Sequence, residues 1–280
     1  MKISTHIAYY HYPDKESSNR RYKYVVSMLN DYFNEWEVEQ IDIYIHTNTE
    51  DAKIILDELI SKTHIHVSFI IHDLSNENPH NLTWKHRELM ETQKNDYDVF
   101  IYVEDDIGIP YKAFKYWLEY KDILIMNKYN PGFIRIEINE KKELFCTDIL
   151  VPCNPIFNIN DTIFAWNHQH YCAFWICDKN ELLQFINSIY WKKHGYFPNG
   201  CTAPENPQWS RESAATGFKL AHRALLNSPG AVFPISYNNN NISDVCFVYH
   251  LPNNYIDSGS HLGKFPVSKL LEIRSKNRRI

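Results

Sequence analysis

Hydrophobic and polar positions follow two alternating periods along the first part of the chain. Short apolar runs typical of buried strands are followed by segments with apolar residues at helical spacing. The predicted strands are Ile3–Tyr10, Glu39–His46, Ile65–Ile71 and Asp98–Val103, and the predicted helices between them are Arg21–Phe33, Ala52–Ile60 and Leu82–Lys94. This alternation favours an α/β fold whose central sheet is mainly parallel and flanked by helices. The consecutive apolar residues of the fourth strand indicate a central strand covered on both faces.

The pattern is less regular after residue 110. It predicts a helix over Tyr111–Tyr120, a hairpin or meander over Phe133–Ile149, a strand over Tyr171–Cys177, a helix over Asn180–Tyr190 initiated at Asp178, and a helix over Ser213–Leu225. No internal repeat is visible, and no linker composition divides the chain. We therefore expect a single domain, with a regular α/β part over residues 1–110 and a more irregular part over residues 111–280.

Composition and charge exclude several classes of function. The 280 residues are 44% hydrophobic and 22% charged, which is globular composition. The net charge of -5 argues against a protein that coats nucleic acid or an anionic membrane. The chain has 8 glycines and contains neither GxGxxG nor GxxxxGK[ST]. Phosphate-binding loops of the dinucleotide and Walker types are therefore absent.

Cysteine spacing and the lack of targeting segments indicate a cytoplasmic protein. None of the 6 cysteines forms a CxxC pair, so we interpret them as reduced thiols. The N-terminus lacks the apolar core of a signal peptide, and no apolar stretch approaches the ~20 residues of a membrane span. The basic tail is interpreted as a solvated helix end, or at most as a peripheral membrane contact, through Arg274, Lys276, Arg278 and Arg279.

The most informative stretch is the acidic run Glu104-Asp105-Asp106, which directly follows the fourth predicted strand. Ligands of open α/β sheets bind at the carboxyl ends of strands. Adjacent carboxylates repel one another unless a cation neutralises them, and hard oxygen ligands select Mg²⁺ or Mn²⁺. The alternative is a solvated acidic turn in front of the helix near Pro110. The strand context favours a metal-assisted phosphate site.

With this motif in this place, the chain resembles the GT-A type of nucleotide-sugar-dependent glycosyltransferases, whose DxD-type acidic motif follows a central strand. The resemblance covers most of the chain in architecture, but only the acidic motif in sequence. It implies a Rossmann-like fold in which residues 1–110 bind the nucleotide-sugar and residues 111–280 bind the acceptor. It also implies transfer of a sugar to an acceptor hydroxyl, which we interpret as inverting. The absence of an anchor points to a bacterial or viral enzyme.

The resemblance also implies a metal, Mn²⁺ or Mg²⁺. Asp106 is the expected main ligand, and Asp105 is expected at the nucleotide-sugar. Because Glu stands first in the motif, Glu104 is expected either at the metal or at the donor ribose. GT-A enzymes often supply a further ligand from a late His, here His250, and an imidazole ligand would favour Mn²⁺. The alternative for His250 is an ordinary hydrogen-bonded residue after a strand.

Basic and acidic side chains complete the predicted chemistry. In the resembling enzymes a basic residue on the helix before the acidic strand reaches the donor; Arg87 is the first choice and Lys85 the second. An inverting transfer needs a carboxylate that accepts the proton of the acceptor hydroxyl. Glu212, at the start of a predicted helix, is the expected base, with Glu205 and Asp161 as weaker candidates.

The remaining predicted contacts lie at strand ends and in aromatic segments. The donor contacts expected from the resembling fold are Tyr9, Tyr10, His11, Thr47 and Asp73. The acceptor contacts are Trp166, His168, His170 and Trp209.

The expected donor is UDP- or GDP-linked, and the acceptor is a saccharide, a protein or a lipid-linked molecule, with no nucleic acid partner. Two alternatives stay open at this point. One is a nucleotidyltransferase acting on sugar phosphates, although the loop after the first strand lacks the glycines usual there. The other is a non-catalytic carbohydrate-binding protein, which would need neither Asp106 nor a nucleotide.

Overall fold

The computed structural model describes residues 1–12, 14–60, 62–169, 171–192, 210–226, 231–236 and 241–271. The strands are β1 (Lys2–Ala8), β2 (Gln40–Thr47), β3 (Ile65–Ile71), β4 (Val99–Glu104), β5 (Ile107–Gly108), β6 (Asn130–Pro131), β7 (Ile134–Ile138), β8 (Leu144–Cys146), β9 (Ile156–Ile159), β10 (Thr162–Asn167), β11 (Phe174–Asp178), β12 (Ala231–Ser236), β13 (Asn241–Ile242), β14 (Phe247–His250) and β15 (Phe265–Pro266). The α-helices are α1 (Lys15–Ser27), α2 (His86–Thr92), α3 (Tyr111–Met126), α4 (Lys179–Ile186), α5 (Ile189–Lys192) and α6 (Ser210–Leu226). The α/β prediction is confirmed.

The chain divides into two compact units. Unit 1 consists of Met1–Tyr111 and Tyr171–Ser228, and unit 2 of Lys112–His170 and Pro229–Ile280. The first crossing between the units lies next to the division expected at residue 110. The segment Tyr171–Ser228, which the sequence grouped with the second half, returns to unit 1 because β11 pairs with β4.

Unit 1 is built on a five-stranded sheet in the order β11-β4-β1-β2-β3. The strands β4, β1, β2 and β3 are parallel, and β11 is antiparallel to β4. In β2 the alternate residues Ile41, Ile43 and Ile45 are fully buried, as period-2 patterning requires. Every residue of β4 is buried, in agreement with its expected central place.

Helices α2, α4, α5 and α6 contribute to an aromatic-rich core in unit 1. Trp175 of β11 lies near the middle of this core, with its ring 5.5 Å from that of Phe185 and 5.6 Å from that of Phe218. Helix α4 begins at a capping box, because the Asp178 carboxylate accepts the Glu181 N–H and Glu181 accepts the Asp178 N–H. The helix start expected at Asp178 is therefore confirmed.

Several predicted elements are shorter or tighter than the pattern indicated. The segment predicted as a helix over Ala52–Ile60 is a 3-10 helix over Glu50–Glu58 that starts at the cap Thr49. The helix predicted over Leu82–Lys94 is a 3-10 turn over Pro79–Trp84 followed by α2. This segment begins earlier than predicted for two reasons. The Asn78 side chain accepts the His80 N–H as an N-cap, and the fixed φ of Pro79 suits the first helical position.

Two predicted strands have other ends in the structure. The strand predicted over Ile3–Tyr10 ends at Ala8. The strand predicted over Tyr171–Cys177 starts at Phe174, because Ala173 has a φ of 60° and cannot continue an extended strand.

Unit 2 contains two small sheets. One has the order β13-β12-β10-β9 with β6 paired to β12, and the other contains β15-β8-β7-β14. The expected hairpin after Phe133 is the antiparallel pair of β7 and β8. The hairpin of β9 and β10 was not predicted, because its exposed and buried residues do not alternate cleanly. Its turn contains Asn160 and Asp161, both with positive φ.

The cysteines that the structure describes are unpaired thiols. Cys146, Cys153, Cys172, Cys177 and Cys246 are free and buried. Burial in apolar surroundings raises the pKa of the Cys177 thiol well above its usual value. Within the ranges that the structure describes, no helix has both the length and the apolar character needed to cross a bilayer.

Candidate functional site

The sheet of unit 1 reverses its strand order at β1. The chain runs from β1 to β2 and β3 on one side, and then returns to β4 on the other side of β1. In open α/β sheets, ligands bind beyond the carboxyl ends of the strands at such a reversal. Ala8 at the end of β1 pairs with Glu104 at the end of β4. Tyr9 and the acidic run of residues 104–106, here called the acidic turn, therefore lie at this edge.

Asp105 is held by an arginine that the sequence patterns did not single out. The side chain of Arg21, on α1, donates from Nε to Asp105 Oδ2 at 2.9 Å and from its second guanidinium nitrogen to Oδ1. The same guanidinium lies 3.8 Å from Asp106 Oδ2. This fork-like pairing fixes the carboxylate in one orientation.

Glu104 has a second arginine and a tyrosine as partners. The Tyr171 hydroxyl donates to Glu104 Oε1 at 3.2 Å, and Arg211 Nε lies 3.6 Å from Glu104 Oε2. Arg211 stands in the first turn of α6, next to Glu212. Helix α6 therefore brings a second cation to the acidic turn. Helix α1, which carries Arg21, precedes the turn in the sequence, and α6 follows it.

Burial and ion pairing set the charges of this cluster. All three acidic side chains of the turn are buried. Burial and the neighbouring Asp106 raise the pKa of Asp105, and the Arg21 guanidinium opposes that rise. The carboxylate of Asp105 raises the pKa of Arg21, and Glu104 raises that of Arg211. The turn thus combines three carboxylates with two permanently charged guanidinium groups.

The donor atoms of the acidic turn suit a hard divalent cation, because they are carboxylate oxygens. Arg21 binds both oxygens of Asp105, whereas it lies 3.8 Å from Asp106 Oδ2 and Arg211 lies 3.6 Å from Glu104 Oε2. Asp106 and Glu104 are therefore the residues that would hold such an ion. Within the described ranges, no three His, Cys, Asp or Glu side chains are grouped as ligands of a metal ion. A divalent ion held by one or two carboxylates completes its shell with phosphate oxygens and water, which is the usual arrangement for Mg²⁺.

The loop after β1 is fixed by hydrogen bonds at the same edge. Asn48 accepts the His11 N–H at 2.8 Å and donates to the His11 carbonyl at 3.0 Å. The Tyr9 hydroxyl and His11 Nδ1 lie 3.0 Å apart. Tyr10 packs edge-on against Tyr12. The predicted donor contacts Tyr9, Tyr10 and His11 therefore lie in one aromatic loop beside the end of β2.

The other predicted donor contacts lie at the ends of β2 and β3 or beyond them. Thr47 is fully buried as the last residue of β2. Asp73, which is exposed, accepts the Ser75 N–H at 2.9 Å, and this hydrogen bond lowers the pKa of its carboxyl. Lys85 pairs with Glu77 at 2.7 Å. Asp73 and Lys85 are therefore engaged with their own loops.

Arg87, predicted to contact the nucleotide-sugar, is buried in the core of unit 1. Its guanidinium donates to the carbonyls of Tyr190 at 2.7 Å and Trp191 at 2.5 Å, and it lies 3.9 Å from the ring centroid of Trp84. Burial lowers its pKa to about 9. The prediction of Arg87 as a donor contact is corrected for this reason: its cation fastens α2 to α5 in the core.

Glu212, the predicted base, lies in the first turn of α6 with a side chain that is 29% exposed. Its Oε1 is 3.7 Å from the guanidinium of Arg211, which also faces Glu104. Its buried Oε2 has no hydrogen-bond partner among the described residues. A carboxylate oxygen in this state can accept a proton from a bound hydroxyl.

His250 is the last residue of β14 in unit 2. Its Nδ1 lies 2.5 Å from Oε1 of the buried Glu137, and its ring stacks on Tyr255 with centroids 4.7 Å apart. Burial favours a raised pKa for Glu137, but the bonds from His250 and from the Tyr255 and Ile256 N–H groups lower it overall. Metal-ligating histidines usually make this bond to a carboxylate through their other nitrogen.

The predicted acceptor residues fall partly within the described chain. Trp166 and His168 lie at and after the end of β10 in unit 2, with ring centroids 6.3 Å apart. Asp161, a weaker candidate for the base, stands in the turn of the β9–β10 hairpin. Outside the described residues lie His170, Cys201, Glu205, Trp209 and the basic tail with Arg274, Lys276, Arg278 and Arg279.

The residues that sequence reasoning missed are mostly partners of the acidic turn. Arg21, Tyr171 and Arg211 lie far from the turn in sequence and meet it through the fold. Arg211 precedes the predicted base, and this adjacency was the signal that could have found it. Arg21 stands beside Arg20 on a polar helix, and the sequence does not tell which of the two faces the sheet.

Neither a protein-family model nor a curated protein matches the chain. Among solved structures, the apo form of mouse xyloside xylosyltransferase 1 matches with 14% identity and a TM-score of 0.32. The match covers 50% of this chain and 53% of that one, about half of each. A TM-score this low does not establish a shared fold.

Proposed function

We propose that the chain is a glycosyltransferase of the GT-A type that moves a sugar from a nucleoside-diphosphate sugar, UDP- or GDP-linked, to an acceptor hydroxyl with inversion. The observation that carries this proposal is the acidic turn at the strand-order reversal, paired with Arg21 and Arg211. Carboxylates and guanidinium groups at one point suit a ligand that brings both phosphates and a cation.

Arg21 and Arg211 are the side chains proposed to meet the leaving diphosphate. A guanidinium presents its N–H groups in a planar fork that matches phosphate oxygens. Charge develops on the diphosphate as its bond to the sugar breaks, and preorganised cations stabilise that charge. At an effective dielectric of about 20, a charge pair at about 4 Å is worth about 4 kcal/mol, or roughly a thousandfold in rate.

A divalent ion, Mn²⁺ or Mg²⁺, is part of the proposal. Asp106 and Glu104 would hold it, and it would supply Lewis-acid stabilisation of the departing diphosphate when bound. The role of His250 as a further imidazole ligand stays a prediction.

Glu212 is the proposed general base. The acceptor oxygen forms a bond to the anomeric carbon while the bond from that carbon to the diphosphate oxygen breaks. The electron pair of the broken bond leaves with the diphosphate, and the hydroxyl proton moves to Glu212. The guanidinium of Arg211 lies 3.7 Å from Glu212 Oε1 and places a positive charge beside the proposed base.

The nucleotide claim is tested by thermal stability in the presence of UDP or GDP, with and without Mn²⁺. A nucleotide at about 100 times its Kd stabilises the folded protein by about 2.7 kcal/mol. We expect this stabilisation with Mn²⁺ and a much smaller one without it. Identical melting curves under all of these conditions would contradict the proposal. Release of pyrophosphate from a nucleoside triphosphate in the presence of a sugar phosphate would instead identify a nucleotidyltransferase.

The substitution Glu212→Gln tests the base. Because Gln cannot accept the proton, we expect transfer to fall by at least about 100-fold, while nucleotide binding stays within a factor of about 2. Transfer is measured as nucleoside diphosphate released in the presence of acceptor. The matched control is Glu119→Gln, on the exposed face of α3, which should leave both quantities unchanged. Near-normal transfer by Glu212→Gln would assign the proton to another residue or the enzyme to the retaining class.

A further inference from the structure

Three histidines form a continuous hydrogen-bonded chain across the parallel strands of unit 1. His6 Nδ1 lies 2.9 Å from His46 Nε2, and His46 Nδ1 lies 2.9 Å from His72 Nε2. At the inner end, His6 Nε2 lies 3.1 Å from Gln93 Oε1. His6 is on β1, His46 on β2, and His72 directly follows β3. This chain is called the histidine relay below.

The relay is buried at one end and reaches solvent at the other. His6 and His46 are fully buried, and His72 is half-buried. Neighbouring rings stack, with centroids 5.2 Å apart for both His6–His46 and His46–His72. A buried imidazole that faces no carboxylate gains little from a positive charge and loses the hydration of that charge.

Each nitrogen-to-nitrogen bond needs one N–H and one lone pair, and neutral tautomers satisfy the whole relay. If Gln93 Oε1 accepts from His6 Nε2, then His6 Nδ1 accepts from His46, and His46 Nδ1 accepts from His72. All four partners are then satisfied with no net charge. A proton that enters from the solvent side at His72 makes the relay cationic.

The groups around the relay do not favour that cation at its buried end. The charges that bear on His46 are those of His6 and His72, and His86 is in turn affected by Arg87. His72 faces Lys85, Glu77 and Glu88. The side chains that face the relay from the packed elements are Ser4, Tyr44, Glu77, Lys85, His86, Glu88 and Gln93. The charge of Arg87 bears on His86.

Burial lowers the pKa of His6 to about 3, although its bond to Gln93 opposes this, and burial also lowers the pKa values of His46 and His72. A histidine with a lowered folded pKa contributes stability above its unfolded value, about 6.5, and that stability is lost as the pH falls below it. Each such histidine reduces the folding equilibrium constant by up to about tenfold per pH unit in that range.

The relay lies beside the backbone that carries the candidate donor site. The Tyr9 N–H donates to the His46 carbonyl at 2.9 Å, and the His72 N–H donates to the Thr47 carbonyl at 2.8 Å. Asn48, two residues after His46, fixes the loop at His11. The relay histidines and the donor loop therefore share the carboxyl ends of β1, β2 and β3.

We propose that the histidine relay is a pH-sensitive lock: its neutral form holds the carboxyl ends of β1, β2 and β3 together, and these ends open as the pH falls below about 6, because the opened histidines take up protons that the closed relay does not. This inference rests on the proposed function for its consequence, a loss of nucleoside-diphosphate binding. The lock itself is a property of the fold. His6, His46 and His72 act as positioning residues, because they join the strands whose carboxyl ends hold the site.

The test compares the wild type with His46→Gln between about pH 7.5 and about pH 5.5. Gln can donate to His6 and accept from His72, so it preserves the hydrogen-bond pattern without a titrating ring. The matched control is His66→Gln, an exposed histidine on β3 that pairs with Asp42. Urea unfolding gives the folding constant, and calorimetry with Mn²⁺ and UDP or GDP gives the affinity.

In the wild type and in His66→Gln, we expect the folding equilibrium constant and the nucleotide affinity to fall together as the pH is lowered. In His46→Gln, the folding equilibrium constant should fall less steeply with pH. The difference from the wild type should be up to about a factor of ten for each pH unit. Hydrogen exchange of the wild type provides a measurement that needs no variant. The amides of residues 44–48 should lose protection at low pH before those of β4.

Equal pH dependence in the wild type and His46→Gln, or unchanged protection of residues 44–48, would overturn the lock. Absence of nucleotide binding even at about pH 7.5 would instead overturn the proposed function. In that case the unfolding and exchange measurements still decide whether the lock exists, so the two failures are distinguishable.

Discussion

Replacement of Arg21 by Gln is expected to destabilise the protein by about 3–5 kcal/mol, measured by urea unfolding at neutral pH. The substitution leaves the buried carboxylate of Asp105 without the guanidinium that binds both of its oxygens. A buried charge without its partner loses hydration and gains nothing in return. The effect should shrink at acidic pH, where Asp105 takes up a proton and needs no counter-ion.

The matched control for this prediction is Arg20→Gln. Arg20 is the neighbouring residue on α1, and its exposed side chain pairs with exposed Glu16 at 3.5 Å. Surface pairs of this kind contribute at most about 1 kcal/mol. If Arg21→Gln and Arg20→Gln have similar unfolding curves, Asp105 is solvated and the ion pair does not hold the acidic turn.

Asp106→Asn is expected to weaken Mn²⁺-dependent binding of UDP or GDP by at least about 100-fold, because it removes the charged oxygen proposed to hold the cation. Unlike Arg21→Gln, it removes one of three neighbouring carboxylates and so relieves repulsion. We expect the free energy of unfolding without metal to stay the same or to rise. Calorimetric titration and urea unfolding measure the two quantities on one preparation.

Asp98→Asn is the matched control for Asp106→Asn. Asp98 immediately precedes β4, at the strand end remote from the acidic turn, and accepts the Lys2 N–H at 2.8 Å. Its substitution should leave nucleotide affinity unchanged. If Asp106→Asn binds nucleotide in the presence of Mn²⁺ as tightly as Asp98→Asn does, the cation is not held at this turn.

Local patterns were sufficient where local interactions decide the structure. The third strand was predicted with its observed bounds, Ile65–Ile71, because apolar residues alternate between turn signals. The start of α4 followed from Asp178 and Glu181, whose capping box is formed within four residues. The burial of β4 followed from its uninterrupted apolar run.

Local patterns failed where distant partners decide the structure. The position of Arg87 on the helix before the acidic turn favoured a contact with a ligand. In the structure the carbonyls of Tyr190 and Trp191 bind its guanidinium in the core. The relay joins His6 to His46 and His46 to His72 across separations of 40 and 26 residues. Such contacts depend on strand register, which no short sequence pattern encodes.

The acidic turn itself lies between these two cases. Its position at a strand end was predictable, because the apolar run stops at Glu104. Its charge balance was not, because Arg21 and Arg211 reach it from different helices. The sequence therefore suggested a cluster that needs an external cation, whereas the structure supplies two guanidinium groups from within unit 1.

The most direct test of the central claim is a crystal structure of the protein with Mn²⁺ and UDP or GDP, in which anomalous scattering locates the manganese. We predict a manganese peak at the Asp106 carboxylate, with the diphosphate between the ends of β1 and β4 and in contact with Arg21 or Arg211. A nucleotide bound elsewhere, or a manganese ion remote from Glu104 and Asp106 while the nucleotide is bound, would contradict it.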